Sequence, residues 1–271
     1  MLENPRSARV RTVAKLVKRR HRDETGLFLL EGPQAVREAL TCRPDGIVEL
    51  FVTPTAAQKH TDLAERAADA DIEVVFSTEQ VIGAMADTVT PQGVIAVAQQ
   101  FPVRMRDVFA ASPRLVAICE QVRDPGNLGT IIRAADAAGA DAVILTGRTV
   151  DPFHPKVVRA TTGSLFHVPL ALGGEAVDAV TAARAAGLRV LAADVKGDDL
   201  LAARESGVLA GPVAWLFGNE ARGLDDDAFQ LADQALRLPI YGRAESLNLA
   251  TAASVCLYET AFAQRASVTD R

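Results

Sequence analysis

Three stretches in the second half of the sequence end an apolar run with polar side chains. They are QVRDPGNLGTIIRAADAAGA (121–140), WLFGNEARGLDDD (215–227) and LPIYGRAESLNLATAASVCLYE (238–259). Each apolar run has the composition of a strand, and open α/β sheets bind their ligands where strands end. Guanidinium, carboxylate, amide and hydroxyl groups at these points could hydrogen-bond a phosphate or a ribose. The sequence therefore predicts a polar binding site assembled from three strand ends.

In the first stretch, Asp124, Pro125 and Gly126 lead from a strand into a helix in which Asn127 has the chemistry of an N-cap. Arg133 follows six residues later, among Ile and Ala side chains. Two interpretations stay open on these residues alone. One is a capped helix with an exposed arginine, and the other is a guanidinium fixed to face a phosphate or a ribose.

In the second stretch, a buried strand ends at Gly218, where the absence of a side chain lets the backbone approach a ligand closely. Asn219 and Glu220 follow at once, and Gly223 precedes the next predicted helix. Taken alone, the stretch is also compatible with a turn and a helix cap.

The third stretch changes from strand to helix at a cluster of polar residues. Ser246 and Asn248 lie where the helix is predicted to begin, so a hydroxyl or an amide there either caps the helix or reaches a substrate. The small residues of the following ATAAS permit close helix packing. Neither interpretation assigns a role to Glu245.

The motifs of several common enzyme classes are absent from the sequence. GxGxxG does not follow the first strand of either half, and GxxxxGK[ST] does not occur, which disfavours Rossmann enzymes and P-loop hydrolases. The four histidines share no metal-ligand spacing: His21, His60, His154 and His167. The three cysteines are far apart and are interpreted as small core residues: Cys42, Cys119 and Cys256. The sequence therefore predicts neither metal chemistry nor hydrolysis.

Short β-branched runs alternate with Ala-rich amphipathic segments from residue 27 onward, which predicts an α/β protein with substantially parallel sheets. The strands predicted in the first part are 27–32, 47–52, 72–76 and 93–99, with helices at 33–40, 56–70 and 79–86. The strands predicted in the second part are 115–120, 142–147, 188–194, 213–218 and 236–240, with helices at 127–138, 175–186, 226–233 and 247–264. The predicted domains are a basic N-terminal arm (1–22), a smaller domain (23–100), a linker (101–113) and a larger domain (114–271).

The charge of the 271-residue chain is concentrated at its N-terminus. Residues 1–22 carry eight Lys or Arg and one acid, a charge of +7, so the rest of the chain carries −12 of the total of −5. One interpretation is a solvated helix with Val10, Val13, Leu16 and Val17 packed inward, and the other is an electrostatic contact with RNA. Because no apolar run approaches the ~20 residues of a membrane span, we expect a cytoplasmic protein without a membrane partner.

Together and in this order, NLGTIIRAADAAGA, LFGNEARGL and LPIYGRAESLNLATAASVCLYE resemble the three motifs of the SpoU (TrmH) family of RNA ribose 2′-O-methyltransferases. The segment 152–170 resembles the intermediate segment of that family. FLLEGPQAVREAL (28–40) and DTVTPQGVIAVAQ (87–99) resemble the ribosomal-protein-like RNA-binding module that precedes the catalytic domain in many members. The resemblance spans most of the chain.

The resemblance implies a fold, a cofactor and an assembly. It implies an α/β catalytic domain with a deep trefoil knot, an exception to the rule that chains do not thread loops. A smaller α/β RNA-binding domain would precede it. S-adenosylmethionine would bind within the knot without a metal, and the same motifs would form a homodimer with composite active sites. The cofactor-binding residues implied are Phe217, Gly218, Asn219, Leu238, Ile240, Leu247 and Leu249.

The resemblance also assigns catalytic residues. In the family, the arginine that corresponds to Arg133 is proposed to activate the ribose hydroxyl. A guanidinium is essentially always protonated in proteins, so we interpret Arg133 as an electrostatic anchor instead of a base. Asn127 and Glu220 would orient Arg133 or the ribose. Ser246 and Asn248 would face the reaction or fix the loop.

The function expected from the resemblance is methylation of a ribose 2′-hydroxyl in RNA, with 23S-type ribosomal RNA as the substrate. The appended N-terminal module favours ribosomal RNA, since it accompanies many members that act on it. Two alternatives stay open: a tRNA 2′-O-methyltransferase, and an RNA-binding assembly factor that has lost catalysis. A housekeeping role and an antibiotic-resistance role are not separated by the sequence.

Overall fold

The strands of the computed structural model, which describes residues 1–269, follow the predicted order closely. They are β1 (Leu27–Glu31), β2 (Ile47–Val52), β3 (Val74–Phe76), β4 (Val94–Gln99), β5 (Leu115–Glu120), β6 (Ala142–Thr146), β7 (Leu170–Leu172), β8 (Arg189–Asp199), β9 (Val213–Phe217) and β10 (Gln234–Arg237). The prediction missed β7, which is only three residues long. It also extended the last strand too far, because residues 238–240 lie in a loop.

The helices are α1 (Ala8–Ala14), α2 (Arg19–Thr25), α3 (Pro33–Cys42), α4 (Pro54–Lys59), α5 (Thr61–Asp69), α6 (Glu79–Met85), α7 (Met105–Ala110), α8 (Pro125–Ala138), α9 (Pro155–Thr161), α10 (Ala176–Ala185), α11 (Leu200–Glu205), α12 (Asp226–Gln230) and α13 (Leu249–Thr269). The single helix predicted over 56–70 is two helices, because the backbone leaves the helical region at His60. The predicted linker contains α7. Within the described residues, no helix is both long and apolar enough to span a bilayer.

The chain folds into two compact units. Unit 1 comprises Met1–Phe101 and Asp151–His167, and unit 2 comprises Pro102–Val150 and the residues from Val168 onward. Sequence patterning carries no signal for the grouping of 151–167 with the N-terminal residues, because packing between segments distant in sequence decides it.

Unit 1 contains a four-stranded sheet in the order β1-β4-β2-β3. The strand β4 runs antiparallel to both β1 and β2, and β3 runs parallel to β2. The prediction of a substantially parallel sheet is therefore wrong for this unit. Alternation of strands and helices along the sequence does not determine the relative direction of two strands that are distant in sequence and become neighbours in the sheet.

The N-terminal basic segment packs on this unit through its apolar side chains. Val10, Val13 and Leu16 are buried, and Val17 packs partly buried against the same core cluster, as predicted for an amphipathic helix. Arg22 is also fully buried, because its Nε donates to Asp151 Oδ2 at 2.7 Å and its Nη1 donates to backbone carbonyls. Arg22 is thus a structural residue and does not belong to the exposed basic surface.

Unit 2 contains a six-stranded sheet in the order β10-β8-β9-β5-β6-β7. Every neighbouring pair is parallel, which confirms the α/β prediction for this unit. The central strands β5 and β9 are buried along their whole length, because helices cover both faces of such a sheet. Since all strands run in one direction, their carboxyl ends form one edge.

Candidate functional site

The three polar stretches meet at the carboxyl edge of the sheet in unit 2. β5 pairs with β9, so the chain leaving β5 lies beside the chain leaving β9. β10 belongs to the same sheet, and the loop that follows it leads to α13, which packs against α8. The predicted assembly of one site from three strand ends therefore has a geometric basis.

Glu220 joins the first and second stretches. Its carboxylate accepts hydrogen bonds from the backbone amides of Asp124, at 2.9 Å, and Arg123, at 3.2 Å. The side-chain amide of Asn127 lies 3.4 Å from the same carboxylate. Glu220 therefore acts here as a fixed acceptor that holds the start of α8.

Asn248 joins the third stretch to the first. Its Nδ2 donates to Asn127 Oδ1 at 2.9 Å, and its own Oδ1 accepts from the backbone amides of Ala250 and Thr251. One amide group therefore caps α13 and holds Asn127 at the same time. Asn127, Glu220 and Asn248 form a continuous network, as expected of residues that share a site.

The helix caps differ from the prediction. The N-cap of α8 is Asp124, whose Oδ1 accepts from the backbone amide of Asn127 at 2.8 Å. Asn127 lies in the first turn, and its side chain is left for the network. At α13 the cap is Asn248, and Ser246 lies in the preceding loop, where it lines a cavity. Capping by Ser246 therefore does not occur.

Arg133 does not contact this network. It is exposed on α8, and within residues 1–269 no hydrogen bond or ion pair engages its guanidinium. Residues six apart on a helix are rotated by about 120° from the same face, so the side chains of Asn127 and Arg133 diverge. Of the two roles predicted for Asn127 and Glu220, contact with Arg133 is not seen within the described chain, and orientation of the ribose stays a prediction.

A cavity of about 370 Å³ opens beside the network. The predicted residues that line it include four aliphatic side chains from the loop after β10 and the first turn of α13. The predicted residues in its wall are Asn219, Glu220, Leu238, Ile240, Ser246, Leu247 and Leu249. Its volume and mixed lining suit a small molecule that has both an apolar and a polar part.

The prediction missed one wall of the cavity. Asp194, Val195 and Lys196 of β8 line it, together with Arg237 at the end of β10. The sequence offered one indication of this wall, the acidic residue Asp194 at the end of the predicted strand 188–194. It was not sufficient, because only the pairing of β8 with both β9 and β10 brings this strand to the site.

Phe217 and Gly218, which were predicted to bind the cofactor, lie outside the lining of the cavity. The Phe217 side chain is fully buried and stacks on Trp215, with ring centroids 6.0 Å apart. A Cβ on Gly218 would clash with the backbone of Gly223 and Leu224. Gly218 is therefore required where the chain packs against its own loop, and contact between its backbone and a ligand stays a prediction.

The cysteines offer no nucleophile at this site. Burial, helped by the charge of Glu220, raises the pKa of the Cys119 thiol to about 12, so the thiol stays protonated near neutral pH. Cys256 is buried as predicted, and burial raises its pKa as well. Cys42 is exposed in unit 1, so its interpretation as a core residue is wrong.

Comparison with protein families finds two matches. A model described as the SpoU rRNA Methylase family matches residues 114–258, and one described as an MRM3-like substrate binding domain matches residues 7–96. The first match contains the first two polar stretches, the third as far as residue 258, and the residues that line the cavity.

Similar proteins cover nearly the whole chain. The 23S rRNA (guanosine(2553)-2′-O)-methyltransferase RlmP of Bacillus subtilis is 34% identical, and the alignment covers 95% of this chain and 97% of that protein. The crystal structure of an AdoMet-bound rRNA methyltransferase from Sinorhizobium meliloti is 34% identical, with a TM-score of 0.82 and 96% of each chain covered. The SpoU methyltransferase AviRb from Streptomyces viridochromogenes, in complex with AdoMet, is 30% identical, with a TM-score of 0.80, and covers 96% of this chain and 100% of that one.

Proposed function

Because this chain belongs to the SpoU rRNA methylase family, we propose that its cavity and polar network form the active site of an RNA ribose 2′-O-methyltransferase. The enzyme transfers a methyl group from S-adenosylmethionine to a ribose 2′-hydroxyl, with 23S-type ribosomal RNA as its substrate. The observation that carries the assignment of the site is the 370 Å³ cavity, which lies against the network of Asn127, Glu220 and Asn248.

The chemical character of the cavity supports its use for the methyl donor. Leu238, Ile240 and Leu247 give it an apolar surface, while Asp194 and Lys196 carry opposite charges into the same wall. A nucleoside joined to an amino acid presents an aromatic ring, hydroxyls and both charges. The cavity therefore offers partners for each part of S-adenosylmethionine.

The reaction is an in-line displacement that needs alignment and the loss of one proton. When bound, S-adenosylmethionine supplies a methyl group on a positively charged sulfur. The chain has to hold the ribose hydroxyl in line with that methyl group and stabilise the alkoxide that develops. We assign the alignment to the loops that Glu220 and Asn248 fix, and the electrostatic role to Arg133, with the proton passing to a phosphate or to water.

The position of Arg133 fits a composite site in a homodimer. The helix α13 presents an exposed apolar face in which Val255, Tyr258 and Phe262 are 38%, 36% and 48% exposed. Their spacing of three and four residues places them on one side of the helix. Large exposed apolar patches mark association surfaces. Since α8 packs beside α13, a partner bound to this face would approach the exposed guanidinium.

We propose two further features on the ground of the family resemblance. One is a deep trefoil knot in a methyltransferase domain that spans 114–271. The other is a smaller RNA-binding domain over 23–100, preceded by the basic arm 1–22 and followed by the linker 101–113. We also propose a cytoplasmic location, because ribosomal RNA is methylated where ribosomes are assembled.

Exposed cations in unit 1 support its role in binding RNA. Arg11, Lys15 and Lys18 are exposed, and within the described residues they form no ion pair. Their charge is available for phosphate contacts, which makes binding dependent on salt. The match of residues 7–96 to a substrate-binding family agrees with this role.

The test is a map of 2′-O-methylation in total RNA from a wild-type strain and a strain that lacks the gene. We expect one ribose in 23S ribosomal RNA to lose its methyl group and to regain it when the gene is restored. Loss confined to tRNA would overturn the substrate. No loss at any position, with no binding of S-adenosylmethionine in calorimetry, would favour the non-catalytic assembly factor.

A further inference from the structure

Two guanidinium groups in unit 2 converge on one side-chain amide. Nη2 of Arg123 lies 3.5 Å from Oε1 of Gln121, and Nη2 of Arg222 lies 3.4 Å from the same oxygen. Arg123 follows β5, whereas Arg222 follows β9. Two loops that are distant in sequence thus present their charges at one point.

This point adjoins the active site. Arg222 lines both the 370 Å³ cavity and a second, open cleft of about 580 Å³. Arg123 and Asp124 form the other side of that cleft. The segment 219–222 is the wall shared by the two spaces. A chain lying in the open cleft would therefore reach the mouth of the methyl-donor cavity.

The open cleft is lined by two arginines and two acids, Arg123, Arg222, Asp124 and Glu220, so its formal charges sum to zero. The carboxylate of Glu220 is bound to the backbone amides of Arg123 and Asp124, and that of Asp124 caps α8. Within residues 1–269, neither guanidinium forms an ion pair, and both are exposed. Because both carboxylates already bind backbone N–H groups of the protein, the guanidinium groups are the charged groups of the cleft that remain available to an anion such as a phosphate.

The backbone of Gln121, whose side chain lies between the two guanidinium groups, is held by the structure around it. Its φ is +52°, in the left-handed region that residues other than glycine seldom occupy. Its backbone carbonyl accepts from Nδ2 of Asn219 at 2.9 Å, and its backbone amide donates to Thr146. Such strain persists where the surrounding structure enforces it, and it is concentrated at functional sites.

We propose that Arg123 and Arg222, positioned by Gln121, bind the phosphodiester groups that flank the target ribose. This inference rests on the proposed function, because it requires RNA to enter the open cleft. Arginine suits the role, since its planar fork bonds phosphate oxygens in two places. Phosphates on either side of a ribose would fix that ribose at the cavity mouth without any contact to its base.

The test measures steady-state methylation of 23S ribosomal RNA isolated from the deletion strain, at several salt concentrations. We expect Arg123→Ala and Arg222→Ala each to raise KM for RNA about tenfold. Each should also reduce the slope of log KM against log salt by about 0.7, the value for one phosphate contact on a single strand. In Arg123→Ala, which alters a residue outside the methyl-donor cavity, affinity for S-adenosylmethionine and the melting temperature should stay at wild-type values.

Arg189→Ala is the matched control. Arg189 is an exposed arginine at the amino end of β8, the opposite edge of the sheet from the cleft. Its removal changes the net charge equally, so an unchanged KM there excludes a general effect of charge. An equal rise of KM in this control would overturn the proposal.

Gln121→Asn separates positioning from charge. Asparagine tolerates the left-handed backbone, but its amide ends one carbon short of the guanidinium groups. We expect KM for RNA to rise while the salt slope stays at the wild-type value, because both charges remain.

Failure of this inference is distinguishable from failure of the proposed function. A wild-type enzyme that methylates RNA, with an unchanged KM in both arginine variants, would overturn the phosphate contacts of Arg123 and Arg222 and leave the proposed function intact. If Arg222→Ala binds S-adenosylmethionine more weakly and its KM for RNA is unchanged, Arg222 binds the methyl donor. That result would also overturn the proposed phosphate contacts. A wild-type protein without methylation activity would overturn the proposed function first.

Discussion

The side-chain amide of Asn248 donates to the side-chain carbonyl of Asn127 at 2.9 Å, across 121 residues of sequence. The same Asn248 caps α13 through its own carbonyl oxygen, and Asn127 reaches on to Glu220. The loop that lines the cavity is therefore tied to the start of α8 through one residue. The helix cap uses Oδ1 of Asn248, and the hydrogen bond to Asn127, called the tie below, uses its Nδ2. A substitution can therefore remove the tie and keep the cap.

Asn248→Asp should retain the cap and lose the tie. A carboxylate accepts the backbone amides of α13 and interacts favourably with the helix N-terminus, but it cannot donate to Asn127. We expect a melting temperature near that of the wild type together with a lower kcat. Asn248→Ala loses both functions and should also cost about 1 to 2 kcal/mol of stability. Equal kcat values for Asn248→Asp and the wild type would contradict a role for the tie.

Arg133→Lys should lower kcat by about 100-fold, the scale for loss of one oriented donor at a developing negative charge. The charge stays, but the planar fork of the guanidinium is lost. The measurement is single-turnover methylation at saturating RNA and methyl donor. A rate near that of the wild type would rule out bidentate anchoring by Arg133.

Gly218→Ala should destabilise unit 2 and weaken binding of the methyl donor. The added methyl group would clash with the backbone of Gly223 and Leu224, and such overpacking costs about 1 to 3 kcal/mol. Gly211→Ala is the control, because a Cβ there meets no atom within 4 Å. Melting curves and calorimetry with S-adenosylmethionine check both variants. A fully stable Gly218→Ala protein would contradict the close approach of Gly218 to the backbone of Gly223 and Leu224.

Phe262→Glu should convert a dimer into a monomer. The substitution puts a charge into the apolar face formed with Val255 and Tyr258, and burying an unpaired charge is strongly unfavourable. Sedimentation velocity measures the change, and methylation activity should fall with it if the active site is composite. Val177→Glu alters an exposed apolar residue on α10 and serves as the control. A wild-type protein that is monomeric at micromolar concentration would contradict the proposed dimer.

His154 should make stability depend on pH below neutrality. Burial, assisted by the charge of Arg22, lowers the pKa of His154, and the neutral ring caps α9 by accepting from the backbone amide of Lys156. The unfolded chain binds a proton below about pH 6.5 more readily than the folded protein does. The difference between the two pKa values therefore has no effect on stability above about pH 6.5. It lowers stability as the pH falls from about 6.5 through the pKa of His154 in the folded protein. His154→Asn keeps a capping side chain and does not titrate, so its melting temperature should fall less between about pH 7 and pH 5.

Local patterning predicted most strands and the residues that surround the site. β2 and β5 have the bounds expected from their apolar runs, and the ordered trio of polar stretches identified the family. These features depend on neighbours within a few residues, because side-chain alternation and helical periodicity are local properties.

The partners of the polar side chains could not be predicted in this way. Asn127 binds both Glu220 and Asn248, whereas Arg133 diverges by the geometry of its helix. Arg22 lies in a segment whose composition predicts an exposed arm. It is buried instead, because it donates a hydrogen bond to Asp151, which is 129 residues away in the sequence.

The sequence by itself therefore determined the family, the strand and helix segments and the identity of the polar residues at the strand ends. Only the tertiary structure decided which of these residues bond to one another, which helix ends they cap and that β8 supplies a cavity wall. The physical reason is that hydrogen bonds and cavity walls depend on which strands are neighbours. β8 lies between β9 and β10, and that order arises from packing between segments distant in sequence.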